Sequence, residues 1–277
     1  MTVIALTQEM GSLAKDVALR LAETAGLDVM RDEVVDTVAG RMQVPPSLIR
    51  RLREGKAGLV ERLTTDRSQV ALYTAEQVLA HAERGNVVLR GWGATCLLRP
   101  VQHVVRVRVT RPLAPRIDWL METLGTDDRG AAEEEIHRSD AAHAARMNAQ
   151  FGVTWGDPLL YDLVLNTDRL TVDSCVAQIL ALAARPEFQE TAESREVLTS
   201  LALSARVRAA LKADEATRDV DIHIDAHQGK VVLTGIVVNK KEKAETERVA
   251  STVAGVGKVD NRLGLMAITR RFTHAKT

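Results

Sequence analysis

The chain has 277 residues, 45% of them hydrophobic and 27% charged, and its formal net charge is zero. That length suits two domains of ordinary size. An aromatic content of only 3% argues against a stacking surface for single-stranded nucleic acid, and no specific nucleic-acid partner is indicated.

No apolar run reaches the roughly 18 residues of a membrane span, and the first residues lack a signal-peptide pattern. The two cysteines, Cys96 and Cys175, are far apart and have neither disulfide nor metal spacing. They fit a reducing compartment, so the expected location is cytoplasmic. Charge is unevenly spread: residues 1–196 carry 23 basic and 28 acidic side chains, whereas residues 197–277 carry 14 and 9. Chance surface composition accounts for such a split, but it also coincides with a change in pattern along the chain.

Taken in order, residues 3–6 read as a short buried strand. Gly11-Ser12 follows, and then a helix with Leu13, Val17, Leu21 and Ala25 on one face, ending at Gly26. Helices are predicted over 33–42 and, after Pro45-Pro46-Ser47, over 48–54. Residues 71–83 are helical, Gly85-Asn86 turns, and 87–89 and 104–109 are strands. Pro112 opens the next helix, 129–150 is a long polar one, 161–165 is a strand and 172–184 is a helix. Short apolar strands separated by helices imply a parallel sheet covered on both faces.

Residues 185–196, with Pro186, read as a linker between a domain over 1–184 and a smaller one over 197–268, with a basic tail at 269–277. The second domain reads as αββαβ: a helix over 197–212, two strands meeting at Gln228-Gly229, a helix over 240–253 capped by Asn239, and a strand near 256–265. Val220, Ile222 and Ile224 alternate with polar residues as in a half-exposed antiparallel hairpin.

This second stretch resembles a BON domain. Val220-Asp221-Ile222, Gly229-Lys230-Val231-Val232-Leu233-Thr234-Gly235 and Val253-Ala254-Gly255-Val256-Gly257-Lys258-Val259-Asp260-Asn261 carry the resemblance. It implies a binding module whose partner is an anionic lipid surface, an ion or a protein.

Residues 2–182 resemble the cytidylate-kinase-like family of P-loop proteins. The carrying stretch is Trp155-Gly156-Asp157-Pro158-Leu159-Leu160-Tyr161-Asp162-Leu163-Val164-Leu165-Asn166-Thr167, supported by Gly91-Trp92-Gly93-Ala94 and Arg116. The resemblance implies a parallel-sheet α/β fold with helices on both faces, a phosphate loop after the first strand and a mobile lid. It also implies ATP with magnesium as cofactor and phosphoryl transfer to a nucleoside monophosphate, chemistry made mostly of electrostatic positioning.

Residue by residue, the match weakens where that chemistry sits. No Gly-x-x-x-x-Gly-Lys-Ser/Thr occurs in the chain. The family's Gly-Ser-Gly-Gly is here Gly11-Ser12-Leu13-Ala14, its Gly-Arg is Gly91-Trp92, and its lid cations after Asp140 align with Ala141 and His143. The nucleotide-binding candidates are Gly11, Ser12, Lys15, Arg90, Gly91 and Gly93, and the catalytic candidates are Lys15, Arg116, Asp140, His143 and Arg146. The reading is a ligand-sensing or scaffold protein with a degenerate nucleotide site, able to form homo-oligomers. The rivals are an active cytidylate-type kinase regulated by its BON domain and a purely structural assembly component.

Other motifs carry less. Gly91-Trp92-Gly93-Ala94-Thr95-Cys96 lacks the last glycine and the later acidic residue of a dinucleotide fingerprint. Asp221, His223, Asp225 and His227 share one strand face, as an exposed outer face requires. His137 and His143 miss the helical spacing for joint ligation. No metal site is assigned.

Overall fold

A computed structural model of the protein describes residues 1–30, 33–54 and 56–266. The expected basic tail lies outside the described residues. The chain divides into two units, Met1–Thr199 and Ser200–Thr277.

The first unit is built on β1 (Val3–Gln8), β2 (Asp28–Met30), β3 (Val87–Arg90), β4 (Val104–Thr110) and β5 (Leu163–Asn166), all parallel and ordered β2-β3-β1-β4-β5. Central β1 explains its own composition. Val3, Ile4, Ala5 and Leu6 are fully buried, although successive side chains leave opposite faces of a strand. Both faces must therefore be covered.

On one face Ile4 and Leu6 pack with Val17 and Leu21 of α1 (Ala14–Ala25), and with Cys175, Val176 and Ile179 of α9 (Val172–Ala183). Between these come α2 (Glu33–Met42), α3 (Pro46–Glu54), α4 (Leu59–Thr64), α5 (Arg67–Arg84), α6 (Ala94–Leu97), α7 (Leu113–Leu124) and α8 (Arg129–Phe151). Capping side chains fix several starts: Asp66 accepts from the amides of Ser68 and Gln69, Asp128 from Ala131, and Thr171 from Ser174.

Several elements depart from the sequence reading. The short β2, α4 and α6 have no periodic apolar run long enough to mark them. Helix α10 (Ala192–Ala213) begins inside the segment read as a linker, after one turn of 3-10 helix over Pro186–Phe188. Its polar first turn is stabilised locally: Ser194 and Thr191 bond reciprocally, each amide donating to the other's hydroxyl oxygen.

The second unit holds β6 (His223–His227), β7 (Lys230–Val237), α11 (Lys240–Ser251) and β8 (Lys258–Leu265). Strands β6 and β7 are antiparallel through Gln228 (φ 48°) and Gly229 (φ 75°), two left-handed residues of the sort a tight hairpin turn needs. Strand β8 runs parallel to β7, and the crossover this demands is α11. Asn239 accepts from the amide of Glu242 and caps it. Leu203, Val207 and Leu211 of α10 join Ile224, Val231, Leu233, Val249 and Leu263 in one core. Val220 and Ile222 pack against that core but precede the strand. Among the described residues no helix is long and apolar enough to cross a membrane.

Candidate functional site

In an open parallel sheet, ligands bind outside the carboxyl ends of the strands. The turn from β1 into α1 lies there. Gly11 has φ 77°, and Leu13, the residue before α1, has φ 57° and ψ 16°. A side chain at Gly11 would also be tight, since a Cβ would stand 3.1 Å from both the Arg116 carbonyl oxygen and the Trp119 ring. Leu13 thus holds a conformation that glycine adopts freely and that costs an ordinary residue about 1–2 kcal/mol. Ser12 between them is 1% exposed, and its Oγ has no hydrogen-bond partner. The α1 N-terminus has no side-chain cap, so its amides point at this turn with the positive end of the helix dipole. Lys15 is exposed on the first turn.

A second turn follows β3. Gly91, Trp92 and Gly93 have φ of 81°, 59° and 72°. The Gly91 amide donates to the Leu6 carbonyl at 2.8 Å, which ties this turn to β1. A Cβ on Gly93 would stand 2.7 Å from the Phe151 ring, so the end of α8 lies directly on it. Arg90 donates to Gln8 Oε1 at 3.1 Å.

Beside the first turn, and linking it to α8, lies a partly buried charge network built on two buried arginines. Glu9 Oε1 accepts from Arg108 at 2.6 Å, and Glu9 Oε2 accepts from Thr110 at 2.6 Å and from the Arg111 amide at 3.3 Å. Arg116, only 4% exposed, donates through Nε to the Met10 carbonyl at 2.6 Å and through Nη2 to both Asp140 oxygens at 2.8 Å. Its other terminal nitrogen lies 3.7 Å from Glu9. Burial raises the Asp140 carboxyl above its usual value even though Arg116 opposes the shift.

The stretch Trp155 to Thr167, the strongest family signal in the sequence, acts here as a clamp. The Trp155 indole N–H donates to Thr7 Oγ1 at 3.1 Å, and the Trp155 carbonyl accepts from Tyr161 Oη at 2.7 Å and from Arg108 at 3.1 Å. The Arg108 guanidinium lies 4.3 Å from the centre of the Trp155 ring, and His143 of α8 stacks on the same ring at 4.2 Å. Asp162 binds the Arg106 amide and guanidinium. Thr167 Oγ1 donates to the Ser12 carbonyl at 2.8 Å.

Of the sequence candidates, Gly11, Ser12, Arg116 and Asp140 meet around the first turn and its network. His143 stands against Trp155 instead of projecting as a lid cation. Arg146 is half-buried one turn along α8, and burial lowers its pKa. Glu9 and Arg108 were missed. The available signal was Arg108, alternating with valines and with Arg106 in a strand expected to be covered on both faces, because a buried arginine needs a carboxylate partner. Cys96 and Cys175 are free thiols, and among the described residues no three His, Cys, Asp or Glu side chains converge as a metal site.

The strand order, with its glycine-serine turn leading from the central strand into a helix N-terminus, defines a P-loop kinase fold. Residues 3–169 match the cytidylate kinase-like family, and the chain belongs to that family. Residues 200–265 match the BON domain. An uncharacterized protein from Eubacterium ventriosum shares the fold, with TM-score 0.53 and 20% identity over 67% of this chain and 100% of that one. Shikimate kinase from Bacteroides thetaiotaomicron aligns with TM-score 0.41 and 15% identity over 65% and 97%. No curated protein matches the chain.

Proposed function

We propose that the first domain binds a phosphate-bearing ligand of the nucleotide class without transferring its phosphate at a kinase rate. In this reading the BON module couples that binding to a second partner, as expected of a cytoplasmic sensor or scaffold. The observation that carries this is the pairing of charge. Arg108 and Arg116 are already neutralised by Glu9 and Asp140 before any phosphate arrives. Where the family has cations, this chain has Trp92, Ala141 and His143. Removing one preorganised charge-stabilising donor costs roughly 100–1,000-fold in rate. Binding survives because the uncapped α1 amides still face the turn in which Ser12 sits. Those amides would hold the phosphates of ATP, with Lys15 beside them.

A coupled assay with ATP, magnesium and CMP, dCMP, UMP or AMP, run alongside a thermal-shift titration, tests the proposal. A nucleotide-dependent shift is expected, with turnover below about one per second, the lower edge of the kinase range. Turnover above that rate, abolished by Lys15→Ala, would establish the second reading, an active kinase. The preserved glycine-like backbone at Leu13 favours that alternative.

For the BON module we propose an anionic lipid surface as partner. Residues 197–277 carry 14 basic against 9 acidic side chains, and Ile236, Val238 and Met266 are 66%, 54% and 55% exposed at one end of the sheet. Co-sedimentation with phosphatidylserine vesicles should fall steeply with salt. Absence of binding at low salt would remove the lipid reading in favour of a protein or ion.

A further inference from the structure

At the opposite end of the sheet from the Gly11 turn, His103 immediately precedes β4 and is 1% exposed. Its Nδ1 lies 2.8 Å from Ser194 Oγ in the first turn of α10. Its Nε2 is buried without a hydrogen-bond partner. The Ser194 hydroxyl donates to the Thr191 carbonyl at 3.1 Å and accepts from the Thr191 amide at 3.0 Å. The hydroxyl proton can serve either that carbonyl or His103 Nδ1, so the neutral ring, with a proton on one nitrogen, pairs with Ser194 as donor or as acceptor. The charged groups facing the ring are Glu190, Arg195 and the amino group of Met1. Glu190 is shared between the Met1 amine at 3.3 Å and Arg195 at 3.7 Å. One turn further on, Leu198 is fully buried.

We propose that His103 is an acid-sensitive latch on the start of α10: neutral, it seats Ser194, and protonated, it releases the turn from Thr191 to Leu198. The doubly protonated ring would carry an N–H at Nε2, where no acceptor stands. It would place a charge in a desolvated site already flanked by Arg195 and the Met1 amine, with one shared carboxylate to oppose them. Burial accordingly lowers the pKa of His103. In the unfolded chain a histidine takes its proton near pH ~6.5. The latch therefore contributes its full stability above that pH and loses it progressively as pH falls below it.

Hydrogen exchange of the full chain at pH 7.5 and 5.5, corrected for intrinsic rates, reads the latch directly. Amides 191–198 should exchange severalfold faster at the lower pH, up to the about tenfold limit that one proton with an open-state pKa near ~6.5 allows, and His103→Gln should abolish the difference. Should that variant fail to fold, ¹³C-histidine NMR of the unaltered chain follows the ring itself, with an expected midpoint below ~6.5. A midpoint at or above that value, or equal exchange at the two pH values in the unaltered chain, overturns the proposal.

Discussion

Replacing Arg116 with alanine is expected to destabilise the first domain by about 3–5 kcal/mol, the usual cost of breaking a buried ion pair from one side. The loss is large because Arg116 serves three elements at once. It holds the Met10 carbonyl of the β1–α1 turn, both oxygens of Asp140 on α8, and part of the field around Glu9. Its removal leaves two carboxylates with one guanidinium. Urea unfolding followed by far-UV circular dichroism measures the change. The companion variant Arg116→Ala with Asp140→Asn should recover part of it, since the orphaned charge is then gone. A loss under about 1 kcal/mol, typical of an exposed pair, would show that the network is not the structural element described.

Trp155→Ala is expected to cost a comparable 3–5 kcal/mol, the range for truncating a buried Trp. The indole is the surface on which His143 and Arg108 both rest, and its N–H satisfies Thr7. Trp155→Phe separates these contributions. It keeps an aromatic face for His143 and Arg108 and loses the bond to Thr7, so about 1 kcal/mol should go. Equal losses in the two variants would contradict the clamp. Helix α8, where the family resemblance places the lid, makes contacts at Asp140 and again at His143 in this structure.

Much of the fold was legible because its signals are local. The run Val3-Ile4-Ala5-Leu6 marks a strand buried on both faces, and Gln228-Gly229 marks a hairpin whether or not the partner strands are known. Asn239 before Lys240 marks a helix start for the same reason. Helix α10 was read five residues short because its opening turn is held by Thr191, Ser194 and His103, and the histidine lies 91 residues away. The site was only partly legible for a related cause. Gly11, Ser12 and Arg116 were found by resemblance, but resemblance says nothing about which charges are already taken. Glu9 meets Arg108 across 99 residues of sequence, and nothing in either residue's neighbourhood announces the other.

Leu13 and Trp92 carry bulky side chains in a backbone region suited to glycine, yet the path of both turns is kept. The surrounding structure, with Gly11 pressed on Arg116 and Gly93 on Phe151, over-determines that path.

The closed pairing of Glu9, Arg108, Arg116 and Asp140 also sets how the first turn looks from far away. Two cations beside two carboxylates cancel beyond a few ångströms, so these four groups present a distant anion with a weak multipole in place of an attractive field. For the proposed phosphate ligand, association would then draw no electrostatic acceleration from them and would fall in the roughly 10⁵–10⁶ M⁻¹s⁻¹ regime of unsteered encounters. Discrimination among ligands would pass from the approach to the residence time, decided by what a ligand finds once it touches the α1 amides.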